Sequence, residues 1–199
     1  CLAKIEKLNV RIAGEFIKDA YVFCEPMGIS NKSATLAARQ IRHEEHFGGT
    51  WAVANHIREF VRPENVNLFE AHGFSNTKTR YVTSDTKQQL FEVAELQTDA
   101  WDKHSFPAYV KWLHKGRGAD LTVLCDFGHG FFSGLSLEAL EAVESFVALN
   151  VQTNSANLGF NLFTKHRWFN YLTLDLREAR LAVHDRVSDQ KEILHKVLK

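Results

Sequence analysis

Short apolar runs, each about the length of a β-strand, recur along the chain between segments whose apolar residues have helical spacing. The predicted strands are residues 9–13, 21–24, 41–47, 66–71, 79–83, 90–95, 121–127, 147–151 and 171–174. Helices are predicted at residues 51–61 with Thr50 as N-cap, at 101–115, 136–146 and 158–166, and from 177 onward. Turn-forming residues at Pro26, Gly28 and Asn31 predict that residues 25–42 contain a loop.

The order of these elements predicts the fold class. Residues 121–127 are apolar except for Asp126, which is typical of a central parallel strand buried on both faces. From residue 119 onward strands and helices alternate, which favours a doubly wound α/β domain with a mostly parallel sheet and helices on both faces. The runs at 79–83 and 90–95 flank a polar turn and predict a hairpin in a separate small sheet.

Composition and charge narrow the classes of partner. With 199 residues, 45% of them hydrophobic, the chain has the make-up of a single globular domain over residues 1–199. The 24 basic and 24 acidic residues balance, so we expect neither a nucleic-acid nor a membrane partner. Three cysteines without a CxxC pair favour a reducing, cytoplasmic setting.

Polar residues at predicted strand ends are the first candidates for a site, because open α/β sheets bind ligands at the carboxyl ends of their strands. Asp19 can accept hydrogen bonds from ligand hydroxyls, or it is a solvated turn residue. Gly48 and Gly49 open a helix whose N–H groups can meet an oxygen-rich ligand, and Asn55 follows in that helix. The alternative is that both glycines serve close packing.

Two further candidates are carboxylates. Asp126 ends a buried strand and is followed by Gly128 and Gly130, and a carboxylate there is unfavourable unless it is paired, hydrogen-bonded or functional. Asp175 and Glu178 stand three residues apart at a predicted helix start. Their oxygens suit a hydrated magnesium ion, and they equally suit a capping box.

The sequence lacks the usual signatures of several other classes. Its ten histidines show no HxH or HExxH spacing, which argues against a histidine metal site. GxSxG, Walker A and GxGxxG motifs are absent, which argues against serine hydrolases, P-loop proteins and dinucleotide-binding enzymes.

Taken in order, several segments carry a family resemblance. They are GEFIKD (14–19), EPMGISNKS (25–33), GGTWAVAN (48–55), KTRYV (78–82), QQLFEVAE (88–95), DFGHG (126–130) and LDLREARLAV (174–183). Together they resemble the ribokinase, or phosphofructokinase B, family of sugar kinases. Within it the chain is most similar to the heptose phosphate kinase type, which occurs alone or fused to a nucleotidyltransferase domain. The implied fold is ribokinase-like, with a small β lid whose strands lie within residues 20–47 and 78–96.

The resemblance also implies roles for the candidate residues. Asp19, Gly48, Gly49 and Asn55 correspond to residues that hold the sugar, and we expect Asp126 to contact the substrate as well. Asp175 and Glu178 correspond to the NxxE element that organises magnesium and phosphates, with Glu178 at the metal. The implied cofactors are ATP and Mg²⁺.

This sequence departs from the family pattern at several positions. Glu15 stands where the family usually has aspartate, Asp175 replaces the NxxE asparagine, and Trp51 interrupts the alanine-rich GGAAN pattern. The glycine-rich GAGD segment, which supplies the anion hole and the catalytic aspartate, does not occur in the sequence. We therefore expect a ribokinase-like domain that lacks the C-terminal ATP-binding segment, and the catalytic residue is left unassigned.

The expected function is a carbohydrate kinase that transfers the γ-phosphoryl group of ATP to a sugar or sugar phosphate, with activity dependent on the missing segment. The alternative is a catalytically inactive sugar-phosphate-binding or dimerisation domain of a larger polysaccharide-biosynthesis protein. A homodimer is expected through the lid, since exposed edge strands offer a route to pairing between subunits. A fused nucleotidyltransferase domain is a further possible partner.

Overall fold

A computed structural model of the chain describes residues 2–71, 75–96, 101, 104–115 and 118–199. In chain order its helices and strands are α1 (Leu2–Ile5), β1 (Val10–Gly14), β2 (Phe16–Ile29), β3 (Leu36–Gly49), α2 (Thr50–Ile57), β4 (Val66–Leu68), β5 (Ser75–Thr83), β6 (Gln89–Glu95), α3 (Ser105–Lys115), β7 (Leu121–Asp126), α4 (Leu135–Glu138), β8 (Phe146–Val151), β9 (Tyr171–Thr173), α5 (Leu176–Ala182) and α6 (Gln190–Val197). Within these ranges no helix combines the length and the apolar character that a bilayer crossing requires.

The main sheet has five parallel strands in the order β4-β1-β7-β8-β9. The predicted α/β class is confirmed, and the apolar strand at 121–127 is the central strand β7. One face of the sheet buries Leu124 and Leu149 against Tyr109 of α3. The other face buries Ile12 against Ala54 of α2. The strands are apolar on both sides because helices cover both faces of the sheet.

The second sheet has the order β3-β2-β5-β6. β5 and β6 form the predicted antiparallel hairpin, and β2 pairs antiparallel with β3 and parallel with β5. The prediction of a loop across residues 25–42 is wrong for most of that segment, because β2 and β3 are 14-residue strands that continue through it. Register shifts next to Cys24 and between Pro26 and Gly28 accommodate the turn-forming residues as bulges within the strand pair.

Three helix predictions need correction. α2 is eight residues long, and Gly49 occupies its N-cap. Thr50 is not the cap, since both its N–H and its hydroxyl donate to the carbonyl oxygen of Glu15, at 3.1 Å and 3.2 Å. The helix predicted at 136–146 stops after α4 and one 3₁₀ turn, and Phe146 belongs to β8. The hydroxyl of Ser136 hydrogen-bonds within the preceding turn, where it donates to Phe131 O at 2.6 Å.

The helix predicted at 158–166 is also absent apart from a 3₁₀ turn at Phe163–Lys165. Within this segment the Asn161 side chain donates to the carbonyl oxygens of Gln152, at 3.0 Å, and Asp126, at 3.3 Å, and such bonds compete with a helix. Of the helix predicted at 101–115, α3 covers Ser105–Lys115, while residues 102–103 lie outside the described residues.

Candidate functional site

The carboxyl ends of β1 and β7 lie side by side, with Gly14 in register with Cys125. A Cβ on Gly14 would lie 2.0 Å from the carbonyl oxygen of Cys125, and Gly14 has a φ of +146°. Only glycine fits this position. The chain therefore leaves β1 in close contact with β7, which places Glu15 at the edge where parallel α/β sheets bind their ligands.

Glu15 organises the turn that follows β7. Its carboxylate is fully buried and accepts hydrogen bonds from the backbone N–H groups of Phe127, His129 and Phe131, at 2.9 Å, 3.1 Å and 3.2 Å. Burial, with a smaller contribution from the negative charge of Asp126, raises the pKa of Glu15 to about 7, although the three N–H donors act in the opposite direction. Sequence reasoning treated Glu15 only as a departure from a motif. Its position directly after a buried strand is the signal that marks it.

Asp126 is buried at the same edge and is paired within the chain. Lys165 Nζ and His166 Nε2 each lie 2.7 Å from its Oδ2 atom, and Asn161 Nδ2 donates to its Oδ1 atom at 3.0 Å. Burial alone would raise the pKa of Asp126, but the hydrogen bond from His166 and the charge of Lys165 outweigh it and hold the pKa below its usual value. The residue is thus both paired and hydrogen-bonded, and its predicted contact with substrate stays a prediction.

An asparagine-rich segment holds the turn in place. Asn154 Nδ2 donates to the carbonyl oxygen of Phe127 at 2.9 Å, and Asn157 Nδ2 donates to that of Gly128 at 3.1 Å. A Cβ on Gly128 would lie 1.9 Å from Asn157 Nδ2, so the glycine permits this close approach. Asn154 and Asn157 were not predicted as site residues, because they lie between the strand predicted at 147–151 and the helix predicted at 158–166. The repeated asparagines, which favour side-chain-to-backbone bonds over helix, are the signal available in the sequence.

One face of the second sheet is directed toward the carboxyl edge of the main sheet. Side chains alternate along a strand, so Ile17, Asp19 and Tyr21 of β2 share a face, and the register places Lys78 and Arg80 of β5 on it. Ile17 is buried in the same cluster as the main-sheet strands β1 and β7. We call this face the inner face. It places polar and charged side chains of the second sheet over the carboxyl edge of the main sheet.

Asp19 lies on the inner face and is ion-paired with Arg80, which also bonds to Glu92 at 3.0 Å. The Asp19 side chain keeps 26% of its surface exposed. A Cβ on Gly48 would lie 2.6 Å from Asp19 Oδ2, so the structure brings these two predicted site residues together.

Gly49 and Asn55 are placed differently. A Cβ on Gly49 would lie 2.4 Å from the carbonyl oxygen of Glu15, so Gly49 joins the second sheet to the main-sheet edge. Asn55 is exposed on α2, and its side-chain oxygen accepts a hydrogen bond from Arg58 at 3.0 Å. In the part of the chain that the structure describes, no hydrogen bond connects Asn55 to Asp19. Its role in sugar binding stays a prediction.

Asp175 and Glu178 form the capping box of α5. Glu178 N donates to Asp175 Oδ1 at 2.7 Å, and Asp175 N donates to Glu178 Oε2 at 2.8 Å. Glu178 Oε1 also accepts from the backbone of Thr153 at 2.8 Å. Among the described residues no cluster of three or more histidine, cysteine or carboxylate side chains is arranged to hold a metal. Both carboxylates therefore serve the helix cap, and their predicted role at magnesium and the phosphates stays a prediction.

The fold of this chain is similar to that of solved sugar kinases. Ribokinase from Arabidopsis thaliana, solved with ribose and ATP, superposes with a TM-score of 0.56 at 13% identity, over 96% of this chain and 68% of that chain. This chain has the ribokinase-like fold. Neither a scan of protein-family models nor a search of curated proteins finds a match.

Other solved structures share the ribokinase-like fold. Phosphofructokinase-2 from Escherichia coli, solved with fructose-6-phosphate, has a TM-score of 0.60 at 10% identity, over 96% of this chain and 69% of that one. Ribokinase from Thermotoga maritima has a TM-score of 0.55 at 11% identity, over 95% and 69% of the two chains. The present chain spans about two thirds of the length of these proteins.

Proposed function

We propose that this chain is the sugar-binding part of a carbohydrate kinase, which transfers the γ-phosphoryl group of ATP to a sugar phosphate of the heptose phosphate type. The proposal is carried by one observation: Asp19 and Gly48 are in contact on the inner face, above the edge organised by Glu15 and Asp126. The ribokinase-like fold supports the same class of reaction, since its solved examples include sugar kinases with bound sugar substrates.

The residues on the inner face are suited to binding and positioning the sugar that accepts the phosphoryl group. The reaction depends on fixing the acceptor hydroxyl and on compensating charge. The Asp19 carboxylate can accept hydrogen bonds from sugar hydroxyls, and Arg80 fixes its orientation. Gly48 leaves the backbone open beside that carboxylate.

The other predicted assignments form part of the proposal. Asp126 and Gly49 contribute from the main-sheet edge and Asn55 contributes from α2. Asp175 and Glu178 lie toward the phosphates of ATP, for which Mg²⁺ is the expected counter-ion. The group that accepts the hydroxyl proton is left unassigned.

The proposed activity is tested on the longest form of the protein that contains this chain, by ADP release with a panel of heptose and hexose phosphates and the corresponding unphosphorylated sugars. We expect saturable ADP release with a sugar phosphate. Calorimetry on the same protein separates binding from turnover. Failure to bind or turn over any member of the panel would overturn the proposal.

Asp19→Ala tests the residue that carries the proposal. We expect sugar binding to weaken roughly 10- to 100-fold, because hydrogen bonds to a charged group contribute about 1.5–3 kcal/mol. The free energy of unfolding should change by less than about 1 kcal/mol, since the ion pair with Arg80 is partly exposed. Glu25→Ala is the matched control, because Glu25 lies on the same strand and pairs with Arg39 in a more exposed position. Equal loss of sugar binding in both variants would contradict the assignment.

A second candidate function is a catalytically inactive sugar-phosphate-binding or dimerisation domain, with or without a fused nucleotidyltransferase. It is favoured by exposed apolar side chains on the outer face of the second sheet, opposite the inner face. Phe47, Phe91 and Val93 are 65%, 50% and 45% exposed there. Apolar surface of this kind marks interaction sites, and pairing of two such faces would give a homodimer through the lid.

Phe91→Glu tests the dimer. We expect the wild-type chain to sediment as a dimer and the variant as a monomer, because a charge on the outer face opposes burial of that face. Phe160→Glu is the control, since Phe160 is 91% exposed and lies outside the second sheet. A wild-type chain that stays monomeric at tens of micromolar would contradict this candidate.

A further inference from the structure

His129 is buried in the turn after β7 with an unused ring nitrogen. His129 is 1% exposed, and its Nε2 atom has no hydrogen-bond partner among the described residues. Its backbone N–H donates to Glu15, which fixes the position of the residue in the turn. Burying a polar atom without a hydrogen bond is unfavourable, and such atoms in native proteins call for a specific explanation. A ligand atom that reaches Nε2 would supply one.

Lys78 belongs to the inner face of the second sheet, which is directed toward the edge of the main sheet where His129 lies. It lies half-buried on the inner face, in register with Asp19. The Asp19 carboxylate is engaged by Arg80, and within the described ranges no carboxylate lies at ion-pairing distance from Lys78. Among the described residues the ammonium group of Lys78 is therefore a cation without a carboxylate partner, on the face directed toward the turn.

The electrostatics of His129 agree with this proximity. Burial first, and then the positive charge of Lys78, lowers the pKa of His129 to about 4, while the negative charge of Asp126 acts in the opposite direction. Glu15 faces the same turn through its hydrogen bonds to the backbone. The imidazole is thus neutral at physiological pH, and as the Nε2–H tautomer it is a hydrogen-bond donor beside a cation.

We infer that Lys78 and His129 form a subsite for the phosphoryl group that the sugar substrate already carries, between the inner face and the turn after β7. The inference rests on the proposed function and names the side chains that bind the phosphomonoester group of its substrate. The oxygens of a phosphoryl group can accept from both Lys78 Nζ and His129 Nε2. A sugar hydroxyl could use the imidazole but would leave the ammonium charge uncompensated.

The subsite is tested first with inorganic phosphate, which requires neither knowledge of the sugar nor turnover. Imidazole NMR resonances are followed during the titration and assigned to His129 by their loss in His129→Asn. We expect phosphate to shift these resonances and to raise the pKa of His129, because an anion favours the charged imidazole. Absence of any shift in the wild-type chain would overturn the inference.

Lys78→Gln and Lys18→Gln form a matched pair of variants. Lys18 lies on the opposite face of the same sheet, where it pairs with Glu45, so the two variants remove the same charge from opposite faces. We expect Lys78→Gln to weaken phosphate binding at least about 10-fold, as for loss of a charged hydrogen bond, and Lys18→Gln to leave it unchanged. Equal weakening in both variants would indicate a general charge effect and would contradict the subsite.

Two further titrations identify the source of the phosphoryl group. Sedoheptulose 7-phosphate should shift the His129 resonances in a Lys78-dependent manner, and sedoheptulose should not. A non-hydrolysable ATP analogue should have no Lys78-dependent effect. Such an effect from the analogue alone would assign the site to nucleotide and overturn the inference.

Failure of the kinase proposal and failure of the subsite give different results. Phosphate binding without ADP release would contradict the kinase and leave the subsite intact. An unchanged KM for a sugar phosphate in Lys78→Gln would contradict the subsite alone.

Discussion

Replacing Asp126 with alanine is expected to lower the free energy of unfolding by about 3–5 kcal/mol, because it removes one partner of a buried ion pair. Lys165 and His166 would lose the carboxylate oxygen that lies 2.7 Å from each of them, and Asn161 would lose an acceptor. Asp126 is fully buried, so solvent cannot take over these contacts without opening the edge of the sheet. The measurement is equilibrium unfolding in denaturant, followed by circular dichroism.

Glu141→Ala provides the control for this prediction. Glu141 pairs with Arg167 at 3.1 Å, but their side chains are 63% and 83% exposed. An exposed pair of this kind contributes about 0–1 kcal/mol, so the variant should unfold almost like the wild type. Comparable losses in Asp126→Ala and Glu141→Ala would show that the buried network does not have the stabilising role inferred for it.

The second large effect is expected from Glu15, whose contribution to stability should be lost as the pH rises through about 7. Its carboxyl has a pKa raised from 4.5 to about 7 by burial in the folded chain. Between these values the folded protein holds a proton that the unfolded chain has released, so folding is favoured at the lower pH. This contribution to the free energy of unfolding is fully present below pH 4.5, and the total lost by about pH 7 is on the order of 3 kcal/mol.

Glu15→Gln isolates this contribution. The amide oxygen can still accept from the N–H groups of His129 and Phe131, while the bond to Phe127 is lost. We expect the variant to fold, to be less stable at low pH by about 1–3 kcal/mol, and to lose the decline in stability between about pH 4.5 and 7. The difference between the two pH profiles, measured by denaturant unfolding, cancels the other titrating groups. Parallel profiles would contradict the raised pKa of Glu15.

The parts of the fold that the sequence predicts are those specified by local pattern. The apolar run at 121–127 identifies a strand buried on both faces, and the structure places it at the centre of the parallel sheet. The polar turn between 83 and 90 predicts the β5–β6 hairpin. The spacing of Asp175 and Glu178 predicts a capping box, one of its two proposed roles, and the box is present. In each case the signal and the interaction lie within a few residues of each other.

The prediction fails where a distant partner decides the conformation. Residues 25–42 contain turn-forming residues, yet β2 and β3 pair through them because backbone hydrogen bonding along a long hairpin outweighs local preference. Within the helix predicted at 158–166, the Asn161 side chain donates instead to the carbonyl oxygen of Asp126, 35 residues earlier in the chain, and to that of Gln152. The roles of Glu15 and His129 likewise depend on a distant contact, because Glu15 directly follows β1 and bonds to the backbone of the turn after β7.

The sequence by itself determined the alternation of strands and helices, the parallel α/β class, the hairpin and the candidate polar residues at strand ends. Periodicity and turn chemistry are local properties, so they can be recognised in the sequence without knowledge of the fold. Only the tertiary structure decided which of those residues meet. It brought Asp19 to Gly48, left Asn55 exposed on α2, and placed Lys78 on the inner face of the second sheet, because contacts between sheets arise from packing over long sequence separations.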